Sequence, residues 1–204
     1  MDIGGLLRVL GALKWYDYAV VLAGLWVVLM LGGRDAPPVV VFDARAEIVY
    51  QGDRKMRDEA REVFETQFAR GSYFGAFYVS PDGAYGWTLE HNSRRAARFN
   101  AEAHCRQDGA GCRLVAEILP RGLEDRGGVT LRENAGSAYR EYLAGQGARA
   151  LAISENGTWG WSHQHVTIWA AKSAALRECE RLRLEGQADY LPDWPCTVIA
   201  ARWR

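Results

Sequence analysis

The chain has 204 residues, 49% of them apolar, with 25 basic residues set against 25 acidic ones. That length and apolar content exclude disorder for most of the chain and suit one ordinary domain or two small ones. The charges also balance within the first 33 residues (Arg8 and Lys14 against Asp2 and Asp17), so neither the start nor the remainder offers an electrostatic case for nucleic-acid binding.

At the start, Ile3, Leu6, Leu7, Leu10 and Leu13 fall at helical spacing, with Arg8 and Lys14 available to face headgroups. An interfacial helix lying on the bilayer and an ordinary leader both fit. From Tyr18 to Gly33 there are sixteen residues without a charge, preceded by Trp15 and containing Trp26. At 1.5 Å per residue the run covers about 24 Å, and flanking aromatics and a snorkelling Arg34 extend it toward the hydrocarbon thickness. No small-x-small cleavage site follows: Leu31 stands two before Gly33, and Arg34 two before Ala36, with Pro37 after it. The expectation is an uncleaved single-pass anchor rather than a cleaved signal peptide, with residues 1–33 in contact with the lipid bilayer. Residues 34–54, with Pro37-Pro38 and the run VVVF, read as a spacer leading into a short strand.

The remainder reads as two α-β-β-α-β units, residues 55–120 and 121–204, and hence an α+β fold. In each, a helix (near 55–69 and 134–144) precedes a hairpin, GAFYVS-PDG-AYGWTL and RALAIS-ENG-TWGWSH. The Asp-Gly and Asn-Gly pairs signal tight turns, because glycine takes the positive φ they require. Alanine-rich helices follow at 93–106 and 167–182, with Asn92 or Ser93 and Thr167 as N-caps. CRLVAEIL and CTVIAARW supply the last strands. Laying residue n on n+74 superposes Ala76 on Ala150, Ser80 on Ser154, Gly83 on Gly157, Gly86-Trp87 on Gly160-Trp161, His91 on His165, Ala96-Ala97 on Ala170-Ala171 and Cys105 on Cys179. So many identities without a gap indicate an internal repeat.

The four cysteines form two local pairs, Cys105 with Cys112 and Cys179 with Cys196, separated by six and sixteen residues. Neither pair has the close C-x-x-C spacing of structural zinc sites, and behind a membrane segment they read as one disulfide per unit. Disulfides place the C-terminal part in an oxidising compartment, which for a bacterial chain is the periplasmic side of the inner membrane.

The hairpin ending in G-W-[ST], the alanine-rich helix closed by a cysteine and a second cysteine opening a strand together resemble a group of small exported bacterial domains of unknown function. Gly86, Trp87, Thr88, Ala96, Ala97, Cys105 and Cys112 carry the likeness, and again Gly160, Trp161, Ser162, Ala170, Ala171, Cys179 and Cys196; it covers about residues 72–204. It implies location and fold. Some similar sequences are labelled 5-aminolevulinate synthase, a chemistry that needs pyridoxal phosphate on a lysine within a larger fold. Here Lys55 and Lys172, the lysines after the anchor, both fall in predicted helices without a phosphate-binding context.

Residues with chemical potential have bland readings beside them. His163 and His165 alternate as metal ligands would, or as surface histidines. Trp87 and Trp161, with Tyr85, Trp159 and Trp169, make an aromatic groove or ordinary core. Ser162 and His163, as strand neighbours, point to opposite faces and make no nucleophile pair. Glu90, Glu102, Glu117 and Asp82 define no acid/base pair by position. The loop Glu180 to Pro195 is the second unit's addition, and its Tyr190, Leu191 and Trp194 look exposed, as in a contact loop or a tolerated insertion. Tyr190, Leu191, Trp194, Trp15 and Trp26 are therefore the candidate partner contacts, with no catalytic, cofactor or metal residue expected. The expectation is a non-catalytic accessory or scaffold subunit of an integral membrane protein complex. The alternative is a tethered periplasmic binding or inhibitor domain.

Overall fold

Aromatic rings gather the elements of residues 55–120 around one centre: Phe64, Phe68 and Phe77 lie with ring centroids 5.3 Å apart pairwise. The computed structural model describes residues 38–42, 45–52, 55–123 and 128–203, all within one compact unit, Pro37–Arg204. Among them are four α-helices and nine strands, a mixed α+β fold. Helix α1 (Asp58–Thr66) and a 3-10 turn (Phe68–Arg70) precede β3 (Gly75–Val79), β4 (Tyr85–Thr88), helix α2 (Arg94–Asp108) and β5 (Arg113–Pro120). The same order recurs as α3 (Glu133–Ala144), β7 (Ala148–Ile153), β8 (Trp159–His165), α4 (Ile168–Glu185) and β9 (Thr197–Arg202). The helices start and stop within three residues of the expected bounds.

The stretch read as spacer does more than span. It supplies β1 (Val39–Val41), which pairs in parallel with β6 (Val129–Leu131), and β2 (Ala46–Tyr50), which pairs antiparallel with β5. The first sheet therefore runs β2-β5-β3-β4 and the second β8-β7-β9. Both central strands slip register at corresponding places, between Phe77 and Tyr78 against β5 and between Leu151 and Ala152 against β9. Such bulges re-aim the strand that carries them.

Helix and sheet approach so closely that a side chain is excluded. A Cβ on Gly86 would lie 2.1 Å from the Cys105 amide nitrogen, and one on Gly160 2.5 Å from that of Cys179. Each contact is fastened by a hydroxyl: Thr88 donates to the Ala97 carbonyl (3.0 Å), and Ser162 to that of Ala171 (2.7 Å). Ser93 and Thr167 cap the helices, accepting from the Ala96 and Ala170 amides. The layer between the second sheet and α4 is lean, while Leu131, Tyr142, Leu151, Ile153 and Ile199 form the second core on the sheet's other face. Ala148, Ala150 and Ala152 face Ala171, Ala175 and Cys179, all with 0% exposure.

Both expected disulfides are present, Cys105 to Cys112 and Cys179 to Cys196, and no cysteine is free. Each ties a helix to the residue before the next strand, from the last turn of α2 at Cys105 and from within the later half of α4 at Cys179, and contributes about 2–4 kcal/mol by restricting the unfolded chain. Among the described residues no helix is long and apolar enough to cross a membrane. The expected anchor and interfacial helix, with Trp15 and Trp26, lie outside the described residues.

Candidate functional site

The loop entering α2 crosses the β7–β8 turn, and Asn92, 1% exposed, sits at the crossing. Its amide donates to the Glu155 carbonyl (3.0 Å). Its Nδ2 donates to the Ser154 carbonyl (2.8 Å) and, more weakly, to that of Thr158 (3.3 Å). Its Oδ1 accepts from the Arg132 amide (3.0 Å), and its carbonyl accepts from the Thr130 hydroxyl. One side chain thus satisfies backbone groups from two other stretches of chain, which would otherwise be buried unpaired.

Beside it, Ser93 donates to the Glu155 carboxylate (2.7 Å) while capping α2. Arg95 forks onto the same carboxylate and lies over the Trp194 ring at 5.1 Å. Burial works to raise the Glu155 carboxyl, and the bonds from Arg95 and Ser93 outweigh it, so its pKa is lowered. Arg132 closes the other flank, donating to the Glu90 carbonyl (3.2 Å) and carboxylate (2.7 Å).

Behind this junction runs a directional relay. Trp194 Nε1 donates to Asn100 Oδ1 (2.9 Å), Asn100 Nδ2 meets His91 Nε2 (2.9 Å), and His91 Nδ1 meets the Leu89 carbonyl (2.9 Å). A carbonyl can only accept, so His91 carries its proton on Nδ1 and accepts at Nε2. Burial, only partly opposed by the Leu89 bond, pushes the His91 pKa down to about 4. The imidazole is neutral at neutral pH, a structural member of the junction.

A cleft of about 620 Å³ opens over the junction, with Ser93, Arg95, Thr130, Glu155, Trp194 and Ile199 in its walls. Its volume suits a small ligand. Its charges are paired internally, Arg95 with Glu155 and the neighbouring Asp193 with Arg183 (2.5 Å). A second polar centre lies in the first sheet. Glu117, 0% exposed, receives two forks, from Arg94 (2.8 and 2.6 Å) and Arg98 (2.7 Å twice). Burial works to raise its carboxyl, and the two guanidiniums prevail and lower it.

The carboxylates singled out from sequence are dispersed, each with its own partner. Glu90 pairs with Arg132, Glu102 with Arg106, Glu117 with the two arginines, and Asp82 with the Ser80 hydroxyl. The candidate aromatic groove does not assemble: Tyr85 and Trp87 pack on the first core, Trp159 and Trp161 on the second, and Trp169 is 77% exposed. His163 stacks on Trp161 at 4.7 Å, and Gln164 between the two histidines has φ 58°, interrupting strand alternation. Among the described residues no group of three or more potential metal ligands exists.

In the Glu180–Pro195 loop, Tyr190 is exposed and its hydroxyl meets His104 Nδ1 (2.9 Å), while Leu191 is half-buried. Trp194 departs from its expected exposure. It is 8% exposed, with its ring against Phe99 and Arg95, its indole nitrogen on Asn100 and its carbonyl accepting from Ser154. The loop is a clasp from the second segment onto α2. Sequence reading also missed the junction set Asn92, Asn100 and Glu155. A signal was present: at the 74-residue offset these fall on Val166, Ala174 and Pro81, so polar residues confined to one segment mark where the segments meet. No protein-family model, curated protein or solved structure matches the chain.

Proposed function

We propose that the described segments are two copies of one disulfide-stapled α-β-β-α-β unit, carried on an N-terminal anchor into the periplasm. Together they form a non-catalytic accessory or scaffold subunit of an inner-membrane protein complex. The observation that carries this reading is the junction. There the polar side chains of His91, Asn92, Asn100 and Ser154 are all engaged in hydrogen bonds, and away from it Ser162 fastens β8 to α4. Two disulfides favour an oxidising compartment, and the uncharged run Tyr18–Gly33 supplies the anchor. Exposed Tyr190 and half-buried Leu191 remain candidates for contact with larger integral subunits. Affinity purification of the tagged full chain in mild detergent, with mass spectrometry, is the test. A stoichiometric set of membrane subunits is expected, and recovery of this chain alone would overturn the proposal.

A second reading, a tethered binding or inhibitor domain, draws on the cleft of about 620 Å³ and its Arg95, Glu155 and Trp194 wall. It predicts that residues 36–204, released from the anchor, retain the partner or ligand at full affinity. Loss of that binding on release would exclude it.

A further inference from the structure

The junction shows how one unit docks on another. The edge before α2, Glu90–Arg95, lies on the turn Ser154–Thr158. Gly157 is required there, since a Cβ would stand 2.2 Å from the Glu90 carbonyl oxygen. The same offset places a second edge at Gln164–Trp169 and a second turn at Ser80–Ala84. Their backbones match the engaged pair: φ is 62° at Glu90 and 58° at Gln164, and 101° at Gly83 and 103° at Gly157. Yet the second edge stands open, with Val166 84% and Trp169 77% exposed, and Pro81 on the second turn is exposed too.

The two open surfaces are altered in step. Where the internal junction pairs Arg95 with Glu155, the open edge has Trp169 and the open turn has Pro81: an ion pair is replaced on both sides by apolar groups. Asn92 becomes Val166. Around the open turn is a hollow of about 320 Å³ whose wall combines the apolar Met56, Val79 and Pro81 with the basic Lys55, Arg57 and Arg113. It corresponds to the wall that Thr130, Ile153 and Glu155 form beneath the first edge. Arg57, at the N-cap of α1, lies over Gly83, as Arg132 at the N-cap of α3 attends Glu90. The Arg57 side chain covers Gly83 where the Glu90 carbonyl covers Gly157, so docking at this turn requires it to move aside.

We infer that the chain associates with itself head to tail, the Val166–Trp169 edge of one molecule docking on the Pro81 turn and hollow of the next. The inference rests on the duplication proposed above, and is independent of the membrane-complex reading. The contact is heterologous, so it propagates into rings or filaments rather than closing as a two-fold dimer. Trp169 is the anchor residue, a large aromatic entering a shallow hollow whose apolar wall of Met56, Val79 and Pro81 is flanked by the cations Lys55, Arg57 and Arg113. Val166 cannot supply the bonds of Asn92, so this junction is weaker than the internal one and reversible.

The test uses the full chain, purified alone in mild detergent with its disulfides intact, and measures protein mass by sedimentation over rising concentration. Wild type is expected to exceed monomer mass. Trp169→Arg and Pro81→Glu, both at exposed positions, are each expected to weaken association by about tenfold or more. Circular dichroism checks that both remain folded. Mixing the two variants is expected to restore association. The edge carrying the introduced arginine then meets the turn carrying the introduced glutamate, as Arg95 meets Glu155, while native Trp169 meets native Pro81. A monomeric wild type, unchanged association in Trp169→Arg, or failure of the mixture to recover would overturn the inference. No other protein is present, so that failure would leave the membrane-complex reading untouched, and recovery of this chain alone from cells would leave this one untouched.

Discussion

Protonating His91 should loosen the junction. In the relay, Nε2 accepts from Asn100 and Nδ1 donates to Leu89, so a second proton on Nε2 would face the Asn100 amide hydrogens. Turning that amide would relieve the conflict only by presenting its NH2 to the Trp194 indole N–H. The pKa falls from 6.5 in the unfolded chain to about 4 in the fold. A depressed histidine pKa means that the unfolded chain binds more protons between those values, so stability falls as pH falls. The contribution is intact above pH 6.5, declines from there to about 4, and amounts to about 3 kcal/mol when complete, at 1.36 kcal/mol per pKa unit. Urea unfolding of the full chain in detergent, followed by far-ultraviolet circular dichroism from pH 7.5 to 4, measures it. His91→Gln is the control, since glutamine can donate to Leu89 and accept from Asn100 without titrating. His104, whose pKa burial also lowers, is common to both proteins and cancels in the difference. If wild type and His91→Gln lose stability in parallel between pH 6.5 and 4, the relay does not act as described.

Three further perturbations probe other parts of the fold. Glu117→Ala removes the acceptor of two forks and leaves Arg94 and Arg98, 41% and 37% exposed, to solvation by water; a loss of about 1–3 kcal/mol is expected in chemical unfolding. Gly160→Ala sets a methyl 2.5 Å from backbone atoms of α4 and should destabilise by about 1–3 kcal/mol, while Gly186→Ala, with open space around its Cβ position, should stay within about 0.5 kcal/mol. Reducing both disulfides under native conditions should lower thermal stability, with each bond contributing about 2–4 kcal/mol; equal melting of the reduced and oxidised chain would refute their structural role.

Much of the local architecture was readable along the chain because its causes are local. Asp82-Gly83 and Asn156-Gly157 announced the turns, Ser93 and Thr167 the caps, and the spacing of cysteines the disulfides, since turn geometry, capping and loop closure act over a few residues. The identities at 74-residue offset extended that legibility to the shared element order. What the chain order concealed was which surfaces meet. The parallel pairing of β1 with β6 joins residues about ninety apart, and no local periodicity encodes such a partner. Trp194 looked like a contact residue because prolines and acids surround it, and the fold buried it because Asn100 offered an acceptor and Arg95 a cation for its ring. Asn92 and Glu155 are unremarkable as letters. They acquire their roles only where two distant loops cross, because an interior crossing of loops must satisfy each backbone group it buries, and which groups those are is settled by tertiary packing.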